Sequence, residues 1–166
     1  KDSAEAERLP ASMKMEMNIL TAGFWPIPST DSCVLPFPAT ECVSVFDSYY
    51  HRKFEGRKLV WVTHQGNAEL RASFPTTTKH LTVTTYQMAI LMLFNKADKL
   101  SLEEIQRRTN IRDDVDFKRH LLSRGTKKAP VLCKDSKGKG IQEGDSFSFN
   151  AGFASKAVHI RIPMVS

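Results

Sequence analysis

The stretch TTYQMAILMLFN, residues 84–95, restricts most strongly what this chain can fold into. It contains seven consecutive apolar residues, 88–94, far fewer than the roughly 20 that a membrane-spanning helix needs. Because the run is apolar on every side, it predicts either a strand or a helix that is buried all round. Such an element needs neighbours to cover it, and the rest of the chain must supply them.

Alternating apolar and polar residues predict a small sheet as that cover. Residues 58–64 and 68–74 flank Gln65-Gly66-Asn67, a tight-turn composition, and together they predict an antiparallel hairpin. Residues 80–85 predict a third strand that leads directly into a helix over 85–95. That helix is expected to close one face of the meander.

Residues 13–20, MKMEMNIL, predict a fourth and half-buried strand, because methionine and isoleucine alternate with polar residues. Between this strand and the hairpin, residues 23–38 hold four prolines and predict an extended loop. A short helix is expected over 39–54. The opening residues, 1–12, are charged and indicate the end of a preceding helical segment or a tail.

From Leu100 onward the pattern changes to capped helices. Ser101 and Glu104 have the spacing of a capping box, and Leu100 and Ile105 that of a hydrophobic staple. This helix is expected to end near Asn110.

A second helix is predicted to begin at Asp113 or Asp114. Phe117 and Leu121 would lie on one side of it, and Gly125 would stop it.

Three further strands are predicted near 130–134, 146–149 and 157–162, with a Gly- and Lys-rich excursion between the first two. Two helices followed by such a wing resemble a winged helix. The predicted fold class is therefore α+β: a small, mostly antiparallel sheet covered by helices, followed by a winged-helix domain. The predicted domains are an α/β domain over 13–99 and a winged helix over 100–166.

Composition and motifs argue against a catalytic or metal centre. The three cysteines (Cys33, Cys42 and Cys133) are spread along the chain without a Cys-x-x-Cys, so they are expected as reduced core residues. The five histidines show no metal-ligand spacing, and chance alone could bring a histidine near a cysteine. Glu103 and Glu104 are read as cap and dipole residues. We therefore predict no cofactor, no metal and no enzymatic activity.

Nucleic-acid binding is the alternative that the charge suggests. Residues 101–166 carry 13 Lys and Arg against 8 Asp and Glu, and a winged helix would offer basic side chains on its second helix and its wing. However, a recognition helix presents its N-terminal residues to the major groove, and here these are Asp113, Asp114 and Asp116. Three carboxylates would repel phosphates, which disfavours this alternative.

Six segments identify a family. NILTAGFWP, GRKLVW, HLTVTTYQMAILMLFN, LSLEEIQRRTNI, VLCKDSKGKGIQEGDSFSFN and FASKAVHIRI resemble, in order and spacing, the cullin homology region. The resemblance covers about 13–162, and it implies the α/β domain and first winged helix of a cullin. Cullins usually have an apolar residue where Arg124 stands. The modified lysine of the second winged helix is not expected within this chain, which is read as a piece of a longer protein.

The resemblance implies a non-catalytic scaffold of a ubiquitin ligase, located in the cytoplasm and nucleus. In such proteins the α/β sheet accepts a β-strand from a RING-box protein, and the RING then recruits a ubiquitin-conjugating enzyme for ubiquitin-dependent degradation. Residues 13–20 lack proline and so offer an open edge for strand addition. The predicted partner-binding residues are Met15, Met17, Ile19, Leu20 and Trp61. As an alternative, this strand could lie inside the sheet or under the Pro-rich loop. No membrane partner is expected.

Overall fold

The computed structural model describes residues 13–24, 33–112, 117–118, 121, 130–138 and 140–163. They divide into two compact units. The first unit consists of residues 13–24 and Leu35–Trp61, and the second of Cys33, Val34 and the described residues from Val62 onward. The predicted boundary at residue 100 does not follow this division, since it falls within the second unit. Three sequence predictions lie outside the described residues: the tail at 1–12, the end of the second helix at Gly125, and Arg124.

The first unit contains one described helix, and the second contains the strands. The elements are α1 (Phe37–Lys53), a 3₁₀ helix (Thr63–Gln65), β1 (Asn67–Phe74), β2 (Thr77–Thr84), α2 (Thr85–Leu93), β3 (Lys99–Ser101), α3 (Leu102–Thr109), β4 (Leu132–Lys134), β5 (Ser146–Phe149) and β6 (His159–Arg161). This mixture of helices and small sheets is the α+β class that the sequence predicts.

Strands β1, β2 and β6 form the first sheet, in that order. β1 and β2 are antiparallel over eight residue pairs, from Asn67↔Thr84 to Phe74↔Thr77, and Pro75-Thr76 forms the turn between them. β6 joins the other side of β2 in parallel through only three pairs. Its position is supported by the buried Lys79, whose Nζ donates to the Ser155 carbonyl at 2.8 Å in the loop that precedes β6.

The apolar run forms a helix, as one of the two sequence interpretations expected. α2 begins with a complete capping box: Thr84 Oγ1 accepts from the Gln87 N–H at 3.1 Å, and Gln87 Oε1 accepts from the Thr84 N–H at 3.0 Å. Residues 85–90 are all buried, while 91–94 are half-buried. The helix ends at Leu93, two residues earlier than predicted.

The second sheet has the order β3-β5-β4, and both of its pairings are antiparallel. Ser101 caps α3, because its Oγ accepts from the Glu104 N–H at 3.2 Å. The Glu104 carboxylate pairs with Arg107 and Arg108 instead of reaching back, so only half of the predicted capping box is formed. α3 ends where predicted, with Asn110 in the left-handed region at φ 54°.

The core of the second unit joins the two sheets. Its largest fully buried apolar side chains are Phe117, Phe147, Leu81, Ile90, Ile105, Val83 and Val131. Phe74 of β1 stacks on Phe149 of β5 at 5.3 Å between ring centroids and on Phe153 at 5.1 Å. Predicted α/β and winged-helix segments therefore share one core.

Two strand predictions are wrong. Residues 58–62 form no strand, and the hairpin lies between β1 and β2 rather than across Gln65-Gly66-Asn67. The reason is tertiary: the Gly66 carbonyl accepts from the Thr85 N–H at 2.9 Å, which holds this segment against the start of α2. A Cβ at Gly66 would lie 2.3 Å from Thr85 Oγ1, so the glycine serves this close approach rather than a hairpin turn.

Residues 13–20 also form no strand, although their sequence alternates. A strand exists only where its backbone is paired, and no described residue pairs with this segment. The predicted strand near 157–162 does form, but it joins the first sheet instead of the wing. In the predicted second helix, Phe117 and Leu121 are helical and buried, as expected, and Asp113, Asp114 and Asp116 lie outside the described residues.

Candidate functional site

Exposed apolar side chains are concentrated in the first unit. Among the described residues, eight large apolar side chains are exposed, and six of them belong to this unit: Met17, Ile19, Leu20, Phe24, Phe37 and Val60. Four of the six fall within eight consecutive residues. Their exposed fractions are 36% at Met17, 56% at Ile19, 47% at Leu20 and 85% at Phe24. A run of this kind marks a surface for interaction, because isolated exposed apolar residues are normal whereas clustered ones are not.

The backbone of residues 13–20 is as open as its side chains. None of its N–H or C=O groups forms a backbone hydrogen bond with another described residue. The first such bond follows directly after it, where Phe24 N–H donates to the Thr21 carbonyl at 3.0 Å and closes a turn. Unpaired backbone groups are a template for another chain.

The alternation of this segment is retained in part. Met13 and Met15 are half-buried, while Lys14 and Glu16 between them are exposed and form an ion pair at 2.7 Å. From Met17 to Leu20 every side chain is exposed. Of the predicted partner-binding residues, Met17, Ile19 and Leu20 are therefore accessible, and Met15 is partly so.

Trp61, the fifth predicted residue, packs elsewhere in the first unit. Its ring meets the ring of Phe46 on α1 edge-on, with 5.8 Å between the centroids. Phe46 also contacts Tyr50, which in turn lies 4.9 Å from Phe54. Trp61 is half-buried in this aromatic row, and its part in partner binding stays a prediction.

A second open edge belongs to β1, in the second unit. β1 lies at the end of the strand order β1-β2-β6, so one side of its eight residues has no partner strand among the described residues. Sequence patterns indicated a strand at 68–74 but placed it in the middle of the meander. The Pro75-Thr76 turn was the signal that could have placed it at the edge.

Two of the three cysteines lie in the core. Cys33 and Cys42 are buried, Cys133 is half-buried, and all three are free thiols. Burial raises the pKa of the Cys33 thiol and of the Cys42 thiol. A thiolate is the reactive form of cysteine, so burial makes both residues poorer nucleophiles.

The loop between β4 and β5, the tip of the predicted wing, is held by its own charged residues. Lys134 Nζ donates to the carbonyls of Gly138 at 2.9 Å and Gly140 at 2.7 Å, and it lies 3.3 Å from Asp145 Oδ2. Asp145 also accepts from the Ser136 hydroxyl at 2.7 Å and from the Gln142 N–H at 2.8 Å. The Ser136 hydroxyl, the Gln142 N–H and Lys134 lower the pKa of the Asp145 carboxyl.

This arrangement weakens the nucleic-acid alternative. Lys134 was one of the wing cations that could have met a phosphate, but its ammonium is directed into the loop and only 15% of its side chain is exposed. Lys99 pairs with Asp135 beside it. Lys137 is exposed, and Lys118 is half-buried. The Gly- and Lys-rich excursion between β4 and β5 is thus held by Lys134, with Gly140 at φ +77°.

No helix in the described part of the chain combines the length and the apolar character needed to cross a bilayer.

Comparison with known proteins shows similarity to cullins. Residues 19–153 match the family model of the cullin alpha+beta domain. Cullin-4A of Mus musculus is 37% identical over 165 residues, which cover 99% of this chain and 22% of that protein. Cullin-3B of Arabidopsis thaliana is 41% identical over 151 residues, covering 90% of this chain and 20% of the relative. Cullin-1 of Oryza sativa subsp. japonica is 36% identical over 156 residues, covering 94% and 21%. This chain spans about a fifth of the length of these curated relatives.

Proposed function

This chain belongs to the cullin family, and from that premise we propose that it is a scaffold segment of a RING-type ubiquitin ligase. Its task is to bind a RING-box protein by strand addition. The RING then recruits the ubiquitin-conjugating enzyme that performs the chemistry. A location in the cytoplasm and nucleus belongs to the same proposal, because the family alone implies it.

The observation that carries the proposal is the unpaired segment 13–20. It joins an unused row of backbone donors and acceptors to the exposed side chains of Met17, Ile19 and Leu20. In strand addition the backbone hydrogen bonds give affinity, and the alternating side chains give specificity through the pockets that they enter. Both requirements meet in these eight residues.

The side chains of this segment add a second source of affinity. Ile19 and Leu20 are about half exposed, so covering each of them contributes roughly 1 kcal/mol, half of the value for complete burial. Met17 is flexible and polarisable and can fill an irregular surface. A partner strand with apolar residues on one face would therefore bind here better than a polar one.

A passive role in catalysis is part of the proposal. Cys33 and Cys42 are buried with raised thiol pKa values, which opposes thioester formation with ubiquitin. The scaffold contributes position, and the reacting groups come from its partners. A thioester between ubiquitin and any of the three cysteines in a discharge assay would contradict this role.

Proline substitution tests the strand assignment. In a paired strand only alternate residues direct their N–H toward a given neighbour, so proline should interfere with a period of two. We expect Met17→Pro to abolish capture of a RING-box N-terminal peptide, measured by fluorescence anisotropy. Because Asn18 is out of phase with Met17, Asn18→Pro should not abolish capture of the peptide.

Val60→Pro is the matched control. Val60 is an exposed apolar residue of the same unit, lies in a segment without helix or strand, and stands outside the proposed strand. It should retain capture. Equal capture by Met17→Pro, Val60→Pro and the unchanged protein would refute the assignment, and circular dichroism would confirm that the variants are folded.

A further inference from the structure

A cluster of three ligand-type side chains lies on the outer face of the first sheet. Glu69 of β1, His80 of β2 and His159 of β6 each offer one carboxylate oxygen or imidazole nitrogen, and these three atoms lie within 4.8 Å of one another. The proposed function does not use this face, and residues 13–20 belong to the other unit. We propose that Glu69, His80 and His159 bind a divalent transition-metal ion of the Zn²⁺ type.

Strand register brings the two imidazoles together. His80 and His159 are direct partners in the parallel β2–β6 pairing, so their side chains leave the same face of the sheet side by side. Their rings stack with 4.8 Å between the centroids and 25° between the planes. The two residues are 79 positions apart in the sequence, which is why no spacing motif predicts the cluster.

Glu69 reaches the same point from the opposite side of β2. Its register partner is Thr82, so it lies diagonally from His80, and its Oε1 is 2.9 Å from His80 Nδ1. Without an ion, this carboxylate is placed to accept the Nδ1 proton of His80. The carboxylate can also turn toward a bound ion, because 58% of its side chain is exposed.

The donor set selects the class of ion. Imidazole nitrogen with one carboxylate suits zinc and its neighbours, whereas Ca²⁺ and Mg²⁺ need six or more ligands dominated by oxygen. Three protein ligands leave a fourth position for water. With bonds of about 2.0–2.1 Å, tetrahedral ligand atoms lie about 3.3 Å apart. Glu69 and His159 are exposed and His80 is half-buried, so rotation of the side chains can bring the ligand atoms closer than 4.8 Å, which would end the stacking of the two rings.

Neighbouring charges set a limit on affinity. Arg71 lies directly opposite His80, and Arg161 is two residues from His159 on the same strand. Both guanidinium groups oppose the approach of a cation, while Glu69 favours it. Arg71→Gln should therefore tighten metal binding severalfold, an effect in the direction opposite to loss of a ligand.

Metal binding would join three strands of the sheet. β6 is held by three residue pairs, and the bonds that flank it are His80 N–H to the Val158 carbonyl and Ile162 N–H to the Thr82 carbonyl, each at 2.9 Å. An ion between Glu69, His80 and His159 ties β6 to β1 and β2 through side chains as well. We therefore expect Zn²⁺ to slow hydrogen exchange of the β6 amides, particularly at Ile160.

The experiment titrates ZnCl₂ into the chelator-treated protein by isothermal titration calorimetry, with histidine NMR signals recorded in parallel. One ion should bind, with the His80 and His159 signals shifting together, and excess MgCl₂ should not compete. His80→Ala and His159→Ala should each weaken binding at least tenfold. Glu69→Gln, which keeps an oxygen for the His80 Nδ1 proton but is a poorer ligand, should weaken it severalfold.

His51→Ala is the matched control. His51 also faces a carboxylate, with 3.4 Å between its Nδ1 and Asp47 Oδ2, but among the described residues its ring contact is with Tyr50 and not with a second imidazole. It should bind Zn²⁺ as the unchanged protein does. His159→Gln provides a second loss variant that keeps a polar side chain at the exposed position. The proposal is overturned if the His80→Ala, His159→Ala double variant binds Zn²⁺ as tightly as the unchanged protein, or if His51→Ala removes binding.

Discussion

Two segments with alternating apolar and polar residues differ in burial and in backbone pairing. In β2, Leu81 and Val83 point inward and are almost fully buried, and every residue from Thr77 to Thr84 has a partner in β1. In residues 13–20, the same kind of alternation ends with exposed Ile19 and no paired backbone in the described part of the chain. Alternation shows that a segment is suited to one-sided burial, but it does not say which molecule provides the neighbouring strand.

This contrast supports our interpretation of the two units. The second unit pairs its described strands with one another in two sheets, whose outer strands such as β1 keep one open side, and packs them on a shared aromatic core around Phe74. The first unit retains six of the eight exposed large apolar side chains among the described residues. The scaffold role that we propose needs both a rigid part and an exposed apolar surface, and these two features occur in different segments here.

Replacing one apolar side chain in each segment by alanine should produce the largest difference in the free energy of unfolding. Leu81→Ala removes a side chain that is 1% exposed and leaves a cavity, so we expect the free energy of unfolding to fall by about 2–5 kcal/mol. Ile19→Ala removes a side chain that is 56% exposed and should change it by less than about 0.5 kcal/mol. Urea denaturation of both variants measures this. Similar losses would show that residue 19 is buried in solution and would break the comparison.

The helix cap offers a smaller effect within the second unit. Thr84→Ala removes the hydroxyl that accepts from the Gln87 N–H, and it should cost about 1 kcal/mol. Thr84→Ser keeps an acceptor at the same place and serves as the control. Denaturation midpoints of the two variants should differ, with the serine variant close to the unchanged protein. If the alanine variant is as stable as the serine variant, the Thr84 hydroxyl does not stabilise α2.

The smallest expected effect is on the acid dependence of stability, to which Asp145 should contribute and Glu16 should not. The folded-state pKa of Asp145 is lowered below its ordinary value of 3.8, so its contribution is present above about pH 3.8 and is lost as the pH falls through the folded-state value. Asp145→Asn should therefore flatten the decline of stability below about pH 4. Glu16 also has a lowered pKa, caused by Lys14, but both groups are exposed and solvent screens the pair.

Glu16→Gln is consequently the control for the acid experiment. Thermal melts between pH 2.5 and pH 6 should show the same acid dependence for Glu16→Gln as for the unchanged protein. Only Asp145→Asn should depart from it. The reverse result would mean that residues 13–20 are held by their ion pair, contrary to the comparison between the two segments.

The sequence predicted local features more successfully than pairings. Its α+β class, the helix at 85, the Ser101 cap and the end of α3 at Asn110 all depend on nearby residues, and all were confirmed. The hairpin was misplaced because Gly66 signals a turn by composition, whereas its actual constraint is the close approach to Thr85.

Long-range partners were beyond what the patterns contain. The short strand β3, with only Lys99 to Ser101, was not predicted at all. β6 was assigned to the wing, although it crosses to the first sheet, because alternation at 157–162 carries no information about its neighbour. The role of Met15, Met17, Ile19, Leu20 and Trp61 in partner binding stays a prediction. Of these residues, Met17, Ile19 and Leu20 are exposed, whereas Trp61 packs on Phe46.

Hydrogen exchange with and without a RING-box protein tests the central claim most directly, namely that residues 13–20 accept a partner strand. The free protein should exchange these amides rapidly, because none of them is paired with another described residue, while the β1–β2 ladder stays protected. On binding, we predict slowed exchange at alternate residues of 13–20 and little change in β2. Unchanged exchange throughout 13–20 in the saturated complex, with new protection along β1 instead, would contradict the claim.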